Sequence, residues 1–180
     1  MEEFILQNIE KELLSATKKK GHPFKYFTLA TFSGQIPRQR IVVLRKVQTG
    51  LGLLFYTDSR SAKVKQLRQN NKVSALFYHP ENMVQLQIEG RAYIKENPEM
   101  LQSIWKTIPQ NARKDYTSVL PPGDKTANPG DLEYLGKKNH FCMVEIQSTR
   151  IEYLKLDRPH HLRVEFLKSG EAWRKTFLVP

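Results

Sequence analysis

The chain has 180 residues, 39% of them hydrophobic, a length and composition typical of one globular domain with a buried core. Its formal net charge of +11 indicates either an ordinary solvated basic surface or an anionic partner, namely a phosphorylated small molecule, a nucleic acid or an anionic lipid. No apolar run reaches the roughly 20 residues of a membrane helix, and the single cysteine, Cys142, excludes an intrachain disulfide and favours a reducing cytoplasm.

Residues 2–17 are predicted to form an amphipathic helix, because Ile5, Ile9 and Leu13 recur at helical spacing. The acidic start of this segment lacks the basic residues and unbroken apolar core of a signal peptide. The basic run at residues 18–20 suits the negative end of the helix dipole, so the helix is expected to end there.

Strands dominate the next part of the chain. Short turns that contain glycine join three antiparallel strand candidates at residues 25–33, 38–47 and 53–57. The pattern then predicts a helix, two strands and a second helix at residues 59–70, 72–79, 83–96 and 97–108. Gly90 interrupts the longest of these strands, which indicates a bulge or a bend at that point.

A long loop separates this part from the tail. Residues 109–131 contain four of the ten prolines and are predicted to be a loop, and loops of this length are usually functional or mobile. Strands are predicted again at residues 140–147, 150–156, 162–168 and 171–180. These meandering strands predict one domain over residues 1–180 that is mainly β: an antiparallel β-barrel with peripheral helices.

The stretch FYTDSRSAK, residues 55–63, is a candidate phosphate site. A strand ends there and a helix begins, so the helix N-terminus offers unpaired N–H groups and a partial positive charge. Hydroxyls at Thr57 and Ser61 and the charges of Arg60 and Lys63 add donors. The alternative is that a side chain in this turn, Asp58 or Ser59, only caps the helix.

The neighbouring strand RIVVLR favours the phosphate interpretation. Arg40 and Arg45 flank four apolar residues, and each arginine must reach solvent, a carboxylate or an anionic ligand. If this strand pairs with residues 53–57, one of the two arginines would lie near the helix start.

The order of these motifs resembles the flavin-binding core of the pyridoxamine 5′-phosphate oxidase family. The segments that carry the resemblance are RIVVLRKV, FYTDSRSAK, NKVSALFYH and MVQLQIEGRAYI, within residues 38–96, about a third of the chain. The ending IEYLKLDRPHHLRVEFLKSGEAWRKTFLVP, within the C-terminal strands 140–180, resembles the C-terminal hairpin of that family.

The resemblance implies an FMN-binding split barrel that forms a homodimer, with FMN in two clefts between the subunits. Arg40, Lys63 and Ser61 would bind the FMN phosphate, and Gln85 would reach the flavin from the other subunit. The full set of implied FMN contacts is Arg40, Ile41, Val42, Val43, Tyr56, Thr57, Ser61, Lys63 and Gln85. The implied substrate contacts are Arg45, His161 and Arg163.

The sequence departs from the family pattern at several positions. Ala62 stands where the family has a second cation, and Arg60 is a candidate to replace it. Leu154 stands where the family has a tryptophan, and Glu165 where it has an arginine. Candidates for the substrate side of the helix and loop are Trp105, Arg113 and Tyr116.

The expected function is therefore an FMN-dependent oxidoreductase that takes a hydride from a small amine or alcohol and is reoxidised by oxygen. Alternatives are a flavin reductase or binding module without vitamin B6 activity and, last, a basic nucleic-acid-binding barrel. The sequence assigns no catalytic side chain. It predicts neither a metal site nor a membrane partner.

Overall fold

The computed structural model describes residues 2–180. Four α-helices lie in this range: α1 (Glu2–Lys18), α2 (Ala62–Gln69), α3 (Pro98–Thr107) and α4 (Gln110–Arg113). Nine strands accompany them: β1 (Tyr26–Ser33), β2 (Ile36–Val43), β3 (Lys46–Gln48), β4 (Gly52–Asp58), β5 (Lys72–His79), β6 (Val84–Lys95), β7 (Phe141–Lys155), β8 (Leu162–Ser169) and β9 (Ala172–Leu178). None of these helices is long and apolar enough to cross a membrane.

All strand pairs are antiparallel, in the order β2-β1-β5-β6-β7-β4-β3, and β8 joins β7 to β9. The two ends of this path, β2 and β3, are consecutive in the chain. The N–H of Leu44 donates to Lys25 on the β1 side, whereas the N–H of Arg45 donates to Leu54 on β4. The curled sheet therefore meets itself where the chain changes partners, although no ladder joins β2 to β4 within the described residues.

The prediction of a mainly antiparallel β fold with peripheral helices is confirmed, but three predicted parts of the chain differ. The strand predicted over 38–47 is two strands, because the chain changes partners between Leu44 and Arg45. The 109–131 loop includes α4, and its base is paired: the N–H of Val119 donates to Glu133 at 2.8 Å.

The strands predicted at 140–147 and 150–156 are one continuous strand, β7. Opposite β6, Ser148 pairs with Gly90 and Arg150 pairs with Glu89, so the intervening Thr149 is a β-bulge. Before Thr149, the β7 residues in the apolar core have even numbers (Cys142, Val144 and Ile146), whereas after it the core residue, Ile151, has an odd number. The extra residue therefore shifts the alternation of the strand by one position. This change of phase made one strand resemble two in the sequence.

Gly90 is required at the bulge. A Cβ atom at this position would overlap the carbonyl oxygen of Gln147 on β7, so β6 and β7 approach each other too closely for any other residue. The predicted irregularity at Gly90 is confirmed.

The main core fills the interior of the barrel. Phe27, Phe55 and Phe77 are fully buried there, and α1 covers one side with Ile9 and Leu13. A second apolar cluster lies outside β4 and β7, where α3 and the following segment pack: Ile108, Tyr116 and Phe141, with Tyr56, Leu101, Ile104, Trp105 and Ala112 around them.

Candidate cofactor site

Arg40 extends from β2 to the start of the α2 region. Its Nη1 donates to the carbonyl oxygen of Leu29 at 3.2 Å and to Thr31 Oγ1 at 2.5 Å, and its Nη2 donates to Gln66 Oε1 at 2.8 Å. All three acceptors are neutral, and within residues 2–180 Arg40 has no carboxylate partner. Burial lowers the pKa of Arg40, because nothing nearby compensates the charge.

Lys63 supplies a second uncompensated cation, in the first turn of α2. Its Nζ donates to Thr57 Oγ1 at 2.9 Å, and it also lacks a carboxylate partner within the described part of the chain. Burial lowers the pKa of Lys63 and the positive charge of Arg40 lowers it further, whereas the negative charge of Asp58 opposes this without forming an ion pair with Lys63. The fold therefore places two cations close together, although their repulsion disfavours that arrangement.

Two buried hydroxyls and a helix end complete this cluster. Thr57 and Ser61 are 5% and 3% exposed, and their hydroxyl oxygens are 3.4 Å apart. Ser61 is the N-cap of α2, but its side chain makes no capping hydrogen bond, so the hydroxyl can serve a ligand. Arg40, Lys63, Thr57, Ser61 and the N-terminus of α2 form what we call the phosphate cluster, because this donor set suits a phosphate dianion.

Arg60 is not part of the phosphate cluster. Its Nε and Nη2 donate to the carboxylate of Asp58, Nη2 also donates to the carbonyl oxygen of Ser118, and Nη1 donates to that of Val119. Arg60, the candidate for the cation missing at Ala62, therefore already has a carboxylate that balances its charge. The capping alternative fails for Asp58 as well, because its Oδ1 accepts from the N–H of Arg60 rather than from α2.

In the hydrophobic run after Arg40, the backbone rather than the side chains is available to a ligand. Val42 is buried in the core, Val43 is half-buried, and Ile41 projects from the outer face with 71% of its surface exposed. Because β2 is one end of the hydrogen-bonded path, one edge of its backbone has no strand partner. A flavin next to these residues would therefore contact mainly the backbone.

Arg45 and two tyrosines lie near this edge. The Arg45 guanidinium lies 5.4 Å from the centre of the Tyr56 ring and has no carboxylate partner within residues 2–180. Burial raises the pKa of the Tyr116 hydroxyl, whereas the charge of Arg45 and a hydrogen bond from it oppose the rise. Arg45 also lowers the pKa of Lys25, so the surroundings of Arg45 are positive.

Gln85 and Arg163 lie at the other end of β7 from the strand position that faces the phosphate cluster. On β7, Cys142 pairs with Thr57, whereas Leu154 pairs with both Gln85 and Arg163. Twelve positions separate Cys142 from Leu154 along this bulged strand.

Arg163 and His161 have partners within the chain. Arg163 donates from Nε and Nη2 to Glu152 Oε1, at 3.0 and 2.8 Å, so one carboxylate compensates its charge. His161 is exposed, and its Nδ1 accepts a hydrogen bond from the N–H of Asp157 at 3.1 Å. Neither side chain is near Arg45, so the structure does not join the three predicted substrate contacts in one subunit.

Two candidates on the helix and loop have structural roles. Arg113 donates to the carbonyl oxygens of Ile108 and Trp105 at 2.9 and 3.2 Å, which caps the end of α3. Its guanidinium lies 5.1 Å from the centre of the Trp105 ring, which packs in the second apolar cluster.

Sequence reasoning missed Thr31 and Gln66, which position Arg40. Thr31 is fully buried and follows Phe27 and Leu29 at inward positions of β1. A hydroxyl side chain among inward residues that are otherwise apolar was therefore the feature of the sequence that could have indicated a polar role for Thr31. Gln66 gave no comparable signal, because a glutamine on a short helix is ordinarily a surface residue.

Comparison with known families agrees with this geometry. The pyridoxamine 5′-phosphate oxidase FMN-binding domain matches residues 6–96, half of the chain. The chain is 27% identical to a pyridoxine/pyridoxamine 5′-phosphate oxidase of Psychrobacter sp. (strain PRwf-1), covering 94% of this chain and 87% of that protein. A protein of the same description from Granulibacter bethesdensis is 28% identical, covering 85% of this chain and 80% of that protein.

Solved structures share the fold. A pyridoxamine 5′-phosphate oxidase-related, FMN-binding protein from Nostoc punctiforme superposes with a TM-score of 0.79 at 20% identity, over 97% of each chain. PhzG from Burkholderia lata 383, solved in complex with tetrahydrophenazine-1-carboxylic acid, gives 0.80 at 20% identity, over 97% of this chain and 92% of that one. The barrel described above is thus the split barrel of these proteins.

Proposed function

Because the chain belongs to the pyridoxamine 5′-phosphate oxidase FMN-binding family and FMN is its cofactor, we propose that it is a flavin-dependent oxidoreductase. In this proposal a hydride passes from a small amine or alcohol, phosphorylated or not, to the flavin, and oxygen reoxidises the cofactor. The observation that carries the proposal is the phosphate cluster, whose two uncompensated cations and two buried hydroxyls fit the phosphate of FMN.

Each member of the cluster has a definite task in this proposal. Arg40 and Lys63 neutralise the phosphate, while the hydroxyls of Thr57 and Ser61 donate to its oxygens. Bound FMN supplies a two-electron acceptor, and the chain contributes binding, orientation and charge. Arg45 is exposed beside Tyr56, and its guanidinium, which has no carboxylate partner among the described residues, would hold an anionic group of the substrate.

An exposed apolar face beside Gln85 supports a homodimer. In this proposal Gln85, at the end of β7 away from Thr57, serves the flavin of a partner chain. A suitable surface lies beside it: Tyr78, opposite Gln85, is 50% exposed, and Leu76, opposite Gln87, is 39% exposed. Tyr26 and Ile41 extend this apolar face, which a second copy would cover.

One observation favours a second candidate function. Arg113 caps α3 and Arg163 is neutralised by Glu152, so two predicted substrate cations have internal partners. A flavin reductase or binding module without vitamin B6 activity would not need them. Nucleic acid remains the last alternative, since the cations of the phosphate cluster lie together at one point rather than along a stripe. We further propose a cytoplasmic location.

The test is a titration of the purified protein with FMN, followed by anaerobic addition of pyridoxamine 5′-phosphate and then air. We expect micromolar or tighter FMN binding, bleaching of the flavin absorbance by the substrate, and peroxide release in air. Bleaching by a nicotinamide nucleotide alone would favour the reductase, and absence of FMN binding would overturn the proposal. Sedimentation with bound FMN would test the dimer, which a concentration-independent monomer contradicts.

A further inference from the structure

Arg60 lies inside the turn that carries the phosphate cluster. Its backbone N–H and Nε donate to Asp58 Oδ1 at 2.8 and 3.1 Å, and its Nη2 donates to Asp58 Oδ2 at 2.7 Å. Asp58 is only 2% exposed. The buried ion pair therefore fixes the shape of the turn between the two hydroxyls of the cluster, Thr57 and Ser61.

The outer side of the same guanidinium holds the long loop. Nη1 donates to the carbonyl oxygen of Val119 at 2.9 Å, and Nη2 donates to that of Ser118 at 2.8 Å. These acceptors lie at the base of a paired segment, residues 117–135, in which the N–H of Leu135 donates to Thr117 at 2.6 Å. Arg60 thus joins the phosphate turn to the 117–135 segment.

A second connection runs through the backbone. The N–H of Ser59 donates to the carbonyl oxygen of His140 at 2.8 Å, and the N–H of His140 donates to Tyr116 at 2.8 Å. Tyr116 in turn contacts Arg45 on the proposed substrate side. The phosphate turn is therefore attached to both ends of the loop, and the loop reaches the open side of the site.

We propose that Arg60 is a positioning residue that couples occupation of the phosphate cluster to the order of the 117–135 segment. The inference rests on the proposed function. A phosphate bound by Thr57, Ser61 and Lys63 holds the turn on both sides of Arg60, so the carbonyls that Arg60 binds are held as well. By linkage, a segment that is ordered by FMN also strengthens FMN binding.

The experiment measures amide hydrogen exchange of the 117–135 segment with and without FMN. We expect FMN to slow exchange at Val119 and Leu135, whose N–H groups close the base of the segment. The key variant is Arg60→Lys, which keeps a charge beside Asp58 but lacks the fork that binds two carbonyls. Its FMN-dependent protection should fall about fivefold, as expected for a lost hydrogen bond.

The control is Arg68→Lys, because Arg68 is exposed on α2 and its ion pair within residues 2–180 is with the exposed Glu96. It should retain the protection by FMN, and thermal unfolding of the apoproteins should show that both variants are fully folded at the temperature of the exchange experiment. FMN binding without protection in the parent, or full protection in Arg60→Lys, would overturn the coupling while leaving the proposed function intact. A parent protein that does not bind FMN would instead overturn the proposed function, and the coupling with it.

Discussion

Two arginine-rich regions of this protein differ in how their charge is balanced. Arg40 donates only to neutral oxygens, and its charge lowers the pKa of another cation, Lys63. Arg150, on the outer face of β7, binds three carboxylates, those of Glu89, Glu152 and Glu165, at 3.0, 2.6 and 2.7 Å. The first arrangement has positive charge that a ligand can neutralise, whereas the second already contains its counter-ions.

The balanced region has a structural task. Although burial alone would raise it, hydrogen bonds from Arg150 and Arg163 hold the pKa of Glu152 below its usual value. The same contacts hold the pKa of Arg150 above its ordinary range, although burial opposes this. Because these residues lie on β6, β7 and β8, the network fixes the pairing of three strands. An arginine in a family motif is thus a stronger binding candidate when its neighbours leave its charge uncompensated.

The largest expected effect is on FMN affinity when a cation of the phosphate cluster is removed. Lys63→Ala should weaken FMN binding about 30-fold, since a charged hydrogen bond to phosphate is lost. Lys65→Ala, on the exposed side of the same helix, is the matched control and should change the dissociation constant less than about threefold. Equal loss of affinity in both variants, measured by flavin fluorescence, would contradict the phosphate cluster.

Removing a cation should lower the free energy of unfolding in the Arg150 region but not in the phosphate cluster. Arg150→Ala leaves the nearly buried Glu152 with one partner fewer, so the free energy of unfolding should fall by about 2 kcal/mol. Arg174→Ala, an exposed arginine on β9, should leave it within about 0.5 kcal/mol. Lys63→Ala should not destabilise the apoprotein, because it relieves repulsion from Arg40. Urea unfolding of the apoproteins measures the free energy of unfolding of all three variants. A Lys63→Ala apoprotein less stable than the parent would contradict the expected difference between the two regions.

The smallest effect is the pH dependence of the phosphate cluster. Burial and Arg40 lower the pKa of Lys63 below 10.5, so FMN affinity should begin to fall at a lower pH than an ordinary lysine would give. Between the lowered folded pKa and the unfolded pKa, the unfolded chain binds more protons. The contribution of Lys63 to apoprotein stability therefore rises with pH over that interval, while affinity declines.

Titrations of FMN binding from neutral pH to about pH 10 measure this decline. Lys63→Arg is the comparison, because arginine stays charged throughout. The affinity of the Lys63→Arg variant for FMN should stay constant over the pH range in which that of the parent falls. Parallel curves for the two proteins would show that another group is responsible.

Local patterns were sufficient for most elements and for the phosphate turn. The helix predicted over 2–17 is observed as Glu2–Lys18, and the motif that contains Thr57 and Lys63 does lie at the start of a helix. Assignments that depend on partners distant in sequence were less secure. The role of Arg60 is decided by Ser118 and Val119, some 60 residues away, which no local pattern reveals.

The same limitation applies to the far end of the barrel. Sequence similarity placed Gln85 and Arg163 in the site, but only the register of β6, β7 and β8 shows that they lie together and away from the phosphate cluster. That the carboxylate of Glu152 balances the charge of Arg163 could not be predicted from the sequence either, because a glutamate in an alternating strand ordinarily faces solvent. Strand pairing, rather than residue type, separates the two groups of predicted contacts.

Because of the bulge at Thr149, the orientation of the C-terminal part of β7 depends on the exact number of residues in this strand. Residues before it alternate in one phase and residues after it in the other, so the tail is correctly oriented only when the extra residue is present. Deleting Thr149 would turn Arg150 and Glu152 towards the apolar interior and Ile151 towards water. Gene variants that change this strand by one codon should therefore be tolerated far less well than most single substitutions in it, and a shortened strand would need a second, compensating insertion nearby.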